Sequence, residues 1–542
     1  TADARGTRAS ALAVRDGKIV FVGEDAGARA LAGKGTRVVE LDGRMLLPGF
    51  IDGHVHPGMA PNPRTALSLH GMVRREEIFE RIRGWAAANP EAPWVLGDGW
   101  DEGAFLPSGK PTREMLDALV PDRPALLYDN AGRGAWVNSR ALALAGISAA
   151  TPDPVNGRIQ RDARGEPSGM LHEDSAMQLV AQHVPPATPA EIRETLEVAL
   201  SEMSRHGITG LQDAMATPGI ATAFRELDRE DRLPLHARLC LPHAPEKDDE
   251  AQIAGFIADR KALAGTRLRA DCVKLFLDGA YGSHTLVLLE PYADQPERFG
   301  RGTLFIPQER LDRLVTRLDA EGFQLHMHAQ GDGAVRAGLD AIAAARRANG
   351  ARDARHTIAH LCLVDAADRR RFRELGVIAN LSPLWMLPDP WETVFAPRPF
   401  GPERSARLFE TRSFLADGVT VVFGTDWPVT GLSPVAGIET ATTRRYPGGR
   451  DPHGQEDSPL VPGEAIDTAQ AIAAYTIAGA RLLDAESRTG SLEPGKDADL
   501  VVLDRDLLGT APLERHRAEV DMTLLGGRVV YERSTSNETT AR

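Results

Sequence analysis

Short apolar runs alternate with amphipathic stretches along most of this chain. The first clear run is Met45-Leu46-Leu47-Pro48-Gly49-Phe50-Ile51, and it leads into Asp52-Gly53-His54-Val55-His56-Pro57. Further runs of strand length fall at residues 207–213, 235–241, 270–279, 323–329, 356–361, 377–381 and 419–426. Stretches with helical periodicity lie between them, residues 189–205 being the clearest. Eight strands alternating with helices predict an α/β fold, a (β/α)8 TIM barrel. An open doubly wound sheet is the alternative, but no Gly-rich phosphate turn follows the first strand.

The two ends of the chain read differently. Residues 11–23 pattern as a hairpin turning at Asp16-Gly17, and residues 498–503 and 520–531 as strand-turn-strand. A strand pair alone is marginal, so one composite β-sandwich domain is expected from residues 1–47 plus 487–542, beside a barrel over 48–486. Residues 60–186 break the rhythm with Pro, Gly, Trp and Asp, and predict a large insertion after barrel strand 1. Such an insertion shapes a substrate pocket or packs its own aromatic mini-core, and the sequence favours neither.

Composition narrows the class. A chain of 542 residues is too long for one simple core. At 42% hydrophobic and 26% charged it is globular, and a net charge of −13 argues against nucleic acid or an anionic membrane as partner. No apolar run reaches the roughly 20 residues of a transmembrane helix, and no signal peptide is visible. The chain opens at Thr1 inside a strand-like region, so missing preceding sequence is expected. Cys240, Cys272 and Cys362 are far apart with no CxxC, which predicts a reducing, cytoplasmic setting without disulfides.

Candidate chemistry starts at His54 and His56. Side chains at i and i+2 of a strand share a face, so both imidazoles reach one point, and Pro57 ends the strand. Two surface histidines explain a lone HxH as well as a metal site does. The same residue types recur, however, at later strand ends: Lys274, His328, His360 and Asp426. Strand ends on that side of a barrel converge, and a convergent set of six is far more specific than any single pair.

These stretches resemble the amidohydrolase superfamily over nearly the whole chain, and within it the YtcJ-like, N-substituted formamide deformylase-like branch. The resemblance rests on Leu47-Pro48-Gly49-Phe50-Ile51-Asp52-Gly53-His54-Val55-His56, Val273-Lys274-Leu275-Phe276-Leu277-Asp278-Gly279, His328-Ala329-Gln330-Gly331-Asp332, Ile358-Ala359-His360, Gly424-Thr425-Asp426-Trp427-Pro428-Val429 and Gly490–Leu500. It implies one or two divalent ions per chain, Zn2+ or another metal. His54, His56 and Asp426 would hold the more buried ion and His328 and His360 the more exposed one. Lys274 would bridge them as a carbamate. An ammonium offers only donors, whereas a carbamate is a carboxylate equivalent; a structural ion pair is the plain alternative for this lysine. His326 shares a strand face with His328, and only the family motif selects His328. His326, Asp278 and Asp332 are then expected to orient ligands from behind, or the carboxylates to cap turns; His356 is expected to pack.

The implied reaction is hydrolysis of an amide, formamide or related C–N bond of a small molecule by metal-activated water, with Asp426 as general base and then acid. A metal-dependent esterase, lactonase or deaminase on the same site is the alternative, and a non-catalytic binding protein a weaker one. Two residues depart from the family: Arg133 stands where relatives often carry histidine, and His284 where they often carry arginine. Arg133, Trp136, His284 and Trp385 are the candidate substrate contacts, with a surface ion pair for Arg133 and simple packing for the aromatics as equal alternatives; the rim segment runs from Trp385 to Trp391. Outer barrel helices offer a surface for a homodimer.

Overall fold

The apolar runs close into a barrel. In the computed structural model they form eight parallel strands: β1 (Phe50–Val55), β2 (Ile208–Asp213), β3 (His236–Pro242), β4 (Leu268–Phe276), β5 (Gln324–Ala329), β6 (Thr357–His360), β7 (Ile378–Leu381) and β8 (Val421–Phe423). Each pairs with the next in chain order. The structure describes all residues except 4–5, 61–65, 106–109, 131, 155–156, 390–392, 394–396, 453 and 535–542. Trp391 of the rim segment lies outside the described residues.

The barrel closes between its first and last strands. The Asp426 N–H donates to the His54 carbonyl at 2.7 Å, and the His56 N–H to that of Trp427 at 2.8 Å. Two glycines permit this approach. A Cβ on Gly53 would stand 2.4 Å from Val422 Cγ1, and one on Gly424 only 2.5 Å from the His54 nitrogen. Any larger residue would push the seam apart.

Helices cover the barrel for local reasons. Pro189–Arg205 begins at Thr188, whose hydroxyl caps the Glu191 N–H while Glu191 caps Thr188 in return. Its buried stripe of Leu196, Ala199, Leu200 and Met203 joins the barrel core that contains Phe50, Ile208 and Leu211. Each leucine so buried contributes about 1.5–3 kcal/mol.

Both ends of the chain meet in one sheet. Met45–Pro48 pairs antiparallel with Leu500–Leu503, which continues through Val520–Leu525 to Arg528–Glu532. The hairpin Ala11–Arg15/Lys18–Gly23 docks through a Lys18–Asp497 bridge. Asp497, Asp499 and His236 cluster there, but Asp497 is already paired with Lys18 at 2.6 Å and Asp499 with His236 at 3.2 Å. We read that cluster as a fastening.

The insertion carries a six-stranded mixed sheet of its own, from Leu67–Ser68 to Pro167–His172. Trp100, Phe105 and Trp136 pack its core at ring distances of 5.6 to 6.4 Å. Asp129 is buried in it, accepting the Arg133 N–H at 2.9 Å. Burial lifts this carboxyl from 3.8 to about 7. The folded chain thus holds that proton more tightly than the unfolded chain. The stability it contributes is full below about pH 4 and drains away as the pH rises through 7. Asp129→Asn is expected to gain melting temperature over wild type as the pH rises from about 4 to about 8, a change of order a few kcal/mol. Thermal melts across that range check it, and a gap independent of pH removes Asp129 from the role.

One expectation is corrected. Cys240 and Cys272 are register partners on β3 and β4, with Cα atoms 4.2 Å apart, and they form a disulfide. Their 32-residue separation concealed this, because adjacency on neighbouring barrel strands is set by register. Cysteine spacing therefore carries no argument about compartment. Among the described residues no helix is long and apolar enough to cross a membrane.

Candidate metal centre

The seam between β1 and β8 brings three side chains to a point. His54 Nε2 lies 3.4 Å and His56 Nε2 3.2 Å from Asp426 Oδ1. One ligand atom from each of the three residues lies within 4.8 Å of the others. Two atoms bound about 2.1 Å from a tetrahedral ion stand about 3.4 Å apart, so the spacing fits a shared cation. The buried Nε2 of His54 has no hydrogen-bond partner, an omission that a metal would answer.

Further imidazoles adjoin. The His360 ring lies 4.8 Å from that of His54 and 4.3 Å from that of His328. His360 Nδ1, also buried and without a partner, is 3.9 Å from Asp426 Oδ2. His328 Nε2 donates to the Gly279 carbonyl at 3.0 Å, so Nδ1 is the nitrogen left for a ligand. His360 and Asp426 hold backbone φ of +78° and +59°. Such strain, about 1–3 kcal/mol each, persists where surrounding structure enforces it and clusters at functional sites.

Electrostatics keep the donors neutral. Burial first, then Lys274, holds His54, His326 and His328 well below the usual histidine range. For His360 burial comes first, then His328. Neutral imidazole is the ligating form. Lys274 is 1% exposed on β4, and burial brings its amine down to about 7 against the opposing pull of Asp426.

The remaining expected residues divide. Arg133 reaches from the insertion: it pairs with Glu173 at 3.4 Å, and its charge also depresses Lys274 and His328. Trp385 packs its ring 5.1 Å from that of His360, and its buried Nε1 has no partner among the described residues. Asp278 accepts backbone N–H groups of Gln330 and Gly331 and lies 3.8 Å from His328 Nε2. His326 lies behind the centre, its Nε2 2.9 Å from His54 Nδ1. Two expected contacts are not brought to the histidines. Trp136 is fully buried in the insertion core, its indole donating to the Thr112 carbonyl at 2.8 Å. His284 stacks on Phe299 at 4.6 Å and meets Asp294 at 2.8 Å, anchoring the loop after β4. Asp332 caps that loop, accepting the Leu289 N–H at 2.9 Å. His356 packs against Asp319.

Three residues escaped the sequence reading. Asp52 accepts the Thr425 N–H at 3.0 Å and its hydroxyl at 2.6 Å, tying β1 to the residue before Asp426. Burial holds its carboxyl up near 7. Asp213 ends β2 with a buried, unpartnered Oδ2, and its carboxyl is lifted to about 6 by burial, opposed by His56 and Lys274. Gln212 lies 2.8 Å from His326. Position at the end of a barrel strand was the available signal for Asp213, and for Asp52 its i−2 spacing from His54.

Comparison with known proteins agrees with this geometry. The sequence pattern of the Amidohydrolase family matches residues 37–531. The N-substituted formamide deformylase of Arthrobacter pascens is 30% identical over 547 residues, covering 99% of this chain and 97% of its own. The YtcJ protein of Bacillus subtilis (strain 168) is 29% identical over 536 residues, covering 98% and 97%. The crystal structure of an uncharacterized metal-dependent hydrolase from Pyrococcus furiosus superposes with TM-score 0.68 and 26% identity, covering 93% of this chain and 95% of that one.

Proposed function

This chain belongs to the amidohydrolase family and is a metal-dependent hydrolase acting on carbon–nitrogen bonds, and from that premise we propose that its substrate is a small formamide or N-acyl amine. The spacing of His54 Nε2, His56 Nε2 and Asp426 Oδ1 carries the reading. His54, His56 and Asp426 would hold an inner cation, zinc by donor type. His328 and His360 would offer donors for an outer one, with Lys274 as a carbamate serving both. A bound cation supplies a Lewis acid that polarises the scissile carbonyl and acidifies water.

The chain's own residues supply the rest. The Asp426 carboxylate accepts the proton of the attacking water and then gives it to the leaving nitrogen. Trp385, whose indole N–H has no partner among the described residues and whose ring lies beside His360, is our candidate donor to the substrate carbonyl. Arg133, paired with Glu173, is our candidate for holding a substrate carboxylate.

Metal content per chain, on protein purified with bicarbonate and without chelator, is the first test. Near two ions per chain is expected, followed by release of acid and amine in equal amounts from N-formyl and N-acyl amines. Protein that takes up no metal on reconstitution overturns the reading. Turnover confined to esters, or release of ammonia alone, moves the bond cleaved.

A further inference from the structure

We infer that Gln212, two hydrogen bonds removed from the metal centre, selects the metal-binding tautomer of His54 through His326. The inference rests on the metal-centre reading above.

The observation is a continuous buried line of three side chains. His54 Nδ1 meets His326 Nε2 at 2.9 Å, and His326 Nδ1 meets the Gln212 amide at 2.8 Å. Gln212 and His326 are both 0% exposed and His54 1%. The three sit on β2, β5 and β1, so the line crosses the buried barrel interior.

A neutral imidazole carries one N–H, so each ring in the line passes on a direction. Only two orders satisfy both bonds. In one, the Gln212 amide nitrogen donates to His326 Nδ1, His326 Nε2–H donates to His54 Nδ1, and His54 carries its proton on Nε2. In the other, Gln212 presents its oxygen. His326 then holds its proton on Nδ1 and donates it to that oxygen, while its Nε2 accepts the Nδ1–H of His54. The amide exchanges oxygen and nitrogen by rotating about Cγ–Cδ, in the same space.

Only the second order leaves a lone pair on His54 Nε2, the nitrogen facing Asp426 and His56. Nδ1 is already committed to His326, so His54 has no other nitrogen to offer a metal. Metal binding and the orientation of the Gln212 amide are therefore one equilibrium. The amide oxygen of Gln212 is buried without a partner when the nitrogen faces His326, and the turn supplies it with one. Gln212 is thus a positioning residue, and acceptor capacity is the property that matters at its site.

The test separates an acceptor from a packing residue. Zn2+ affinity of the metal-stripped chain is measured by competition with a chromophoric chelator. Gln212→Leu is expected to weaken Zn2+ binding about 10–100-fold, the cost usual for losing a partner behind a metal-ligating histidine. Gln212→Glu, which keeps acceptor oxygens, is expected to stay within about threefold of wild type. Wild-type affinity in a Gln212→Leu variant that melts normally overturns the inference, as does equal loss in both variants. Neutron diffraction of the zinc-loaded wild type is independent of how either variant folds. A proton on His326 Nδ1 supports the line as drawn, and one on Nε2 overturns it. Failure of the wild type itself to bind Zn2+ would instead strike the metal-centre reading.

Discussion

Asp426→Asn is expected to lower kcat by about 10²–10⁴-fold while the chain stays folded and keeps most of its metal. Asparagine has the same shape and one carbonyl oxygen for a cation, so the ligand geometry survives in part. It lacks a basic oxygen, so the water proton has nowhere to go. The backbone cannot easily substitute another group. Asp426 is pinned at φ +59° by its N–H bond to His54, with Oδ1 3.2 to 3.4 Å from two histidines and Oδ2 3.9 Å from a third. Metal analysis and steady-state kinetics on the same preparation decide it. Near-wild-type kcat with full metal removes Asp426 from proton transfer. Loss of metal in step with activity makes it chiefly a ligand.

Lys274→Met is expected to cost a comparable factor for a different reason: under the proposed reading it would remove the group offered between two cations. Burial brings the Lys274 amine down to about 7, which favours its neutral form far more than in an exposed lysine. On the proposed reading that neutral nitrogen would add to carbon dioxide: an N–C bond would form, a proton would leave to solvent, and an anionic group with two acceptor oxygens would replace a donor. Lys274→Glu places a carboxylate nearby and is expected to recover part of the activity, whereas Lys274→Met recovers none. Protein equilibrated with 13C-bicarbonate should retain a carbamate carbon signal through buffer exchange, absent from Lys274→Met. A fully active wild type with no such signal would leave Lys274 as a buried ion-pair residue.

The barrel and its ligand types were legible because two simple periodicities announce them. Apolar runs alternating with helices fix the architecture, and strand ends on one side of a barrel must converge. His54 and His56 follow from period two along a strand. The same rule could not separate His326 from His328, since both face inward. In the fold His326 Nε2 lies 2.9 Å from His54 Nδ1. Gln212 stayed hidden because its contact with His326 depends on register between β2 and β5, which no single segment encodes. Cys240 and Cys272 escaped for the same reason. Trp136 misled in the opposite direction. Its motif resembles a pocket wall, yet the insertion has a sheet to fill and uses the indole for that purpose.

The closing seam has a consequence for the life of the chain. Asp52 and Thr425, which it ties together, are 373 residues apart. Contacts of that range form late, since most of the loop entropy must be surrendered before they return anything. A nascent or truncated polypeptide lacking the last barrel strand has histidines but no Asp426 beside them. An ion held by His54, His56 and Asp426 together would clasp the beginning of the barrel to its end, and would favour chains that have finished folding.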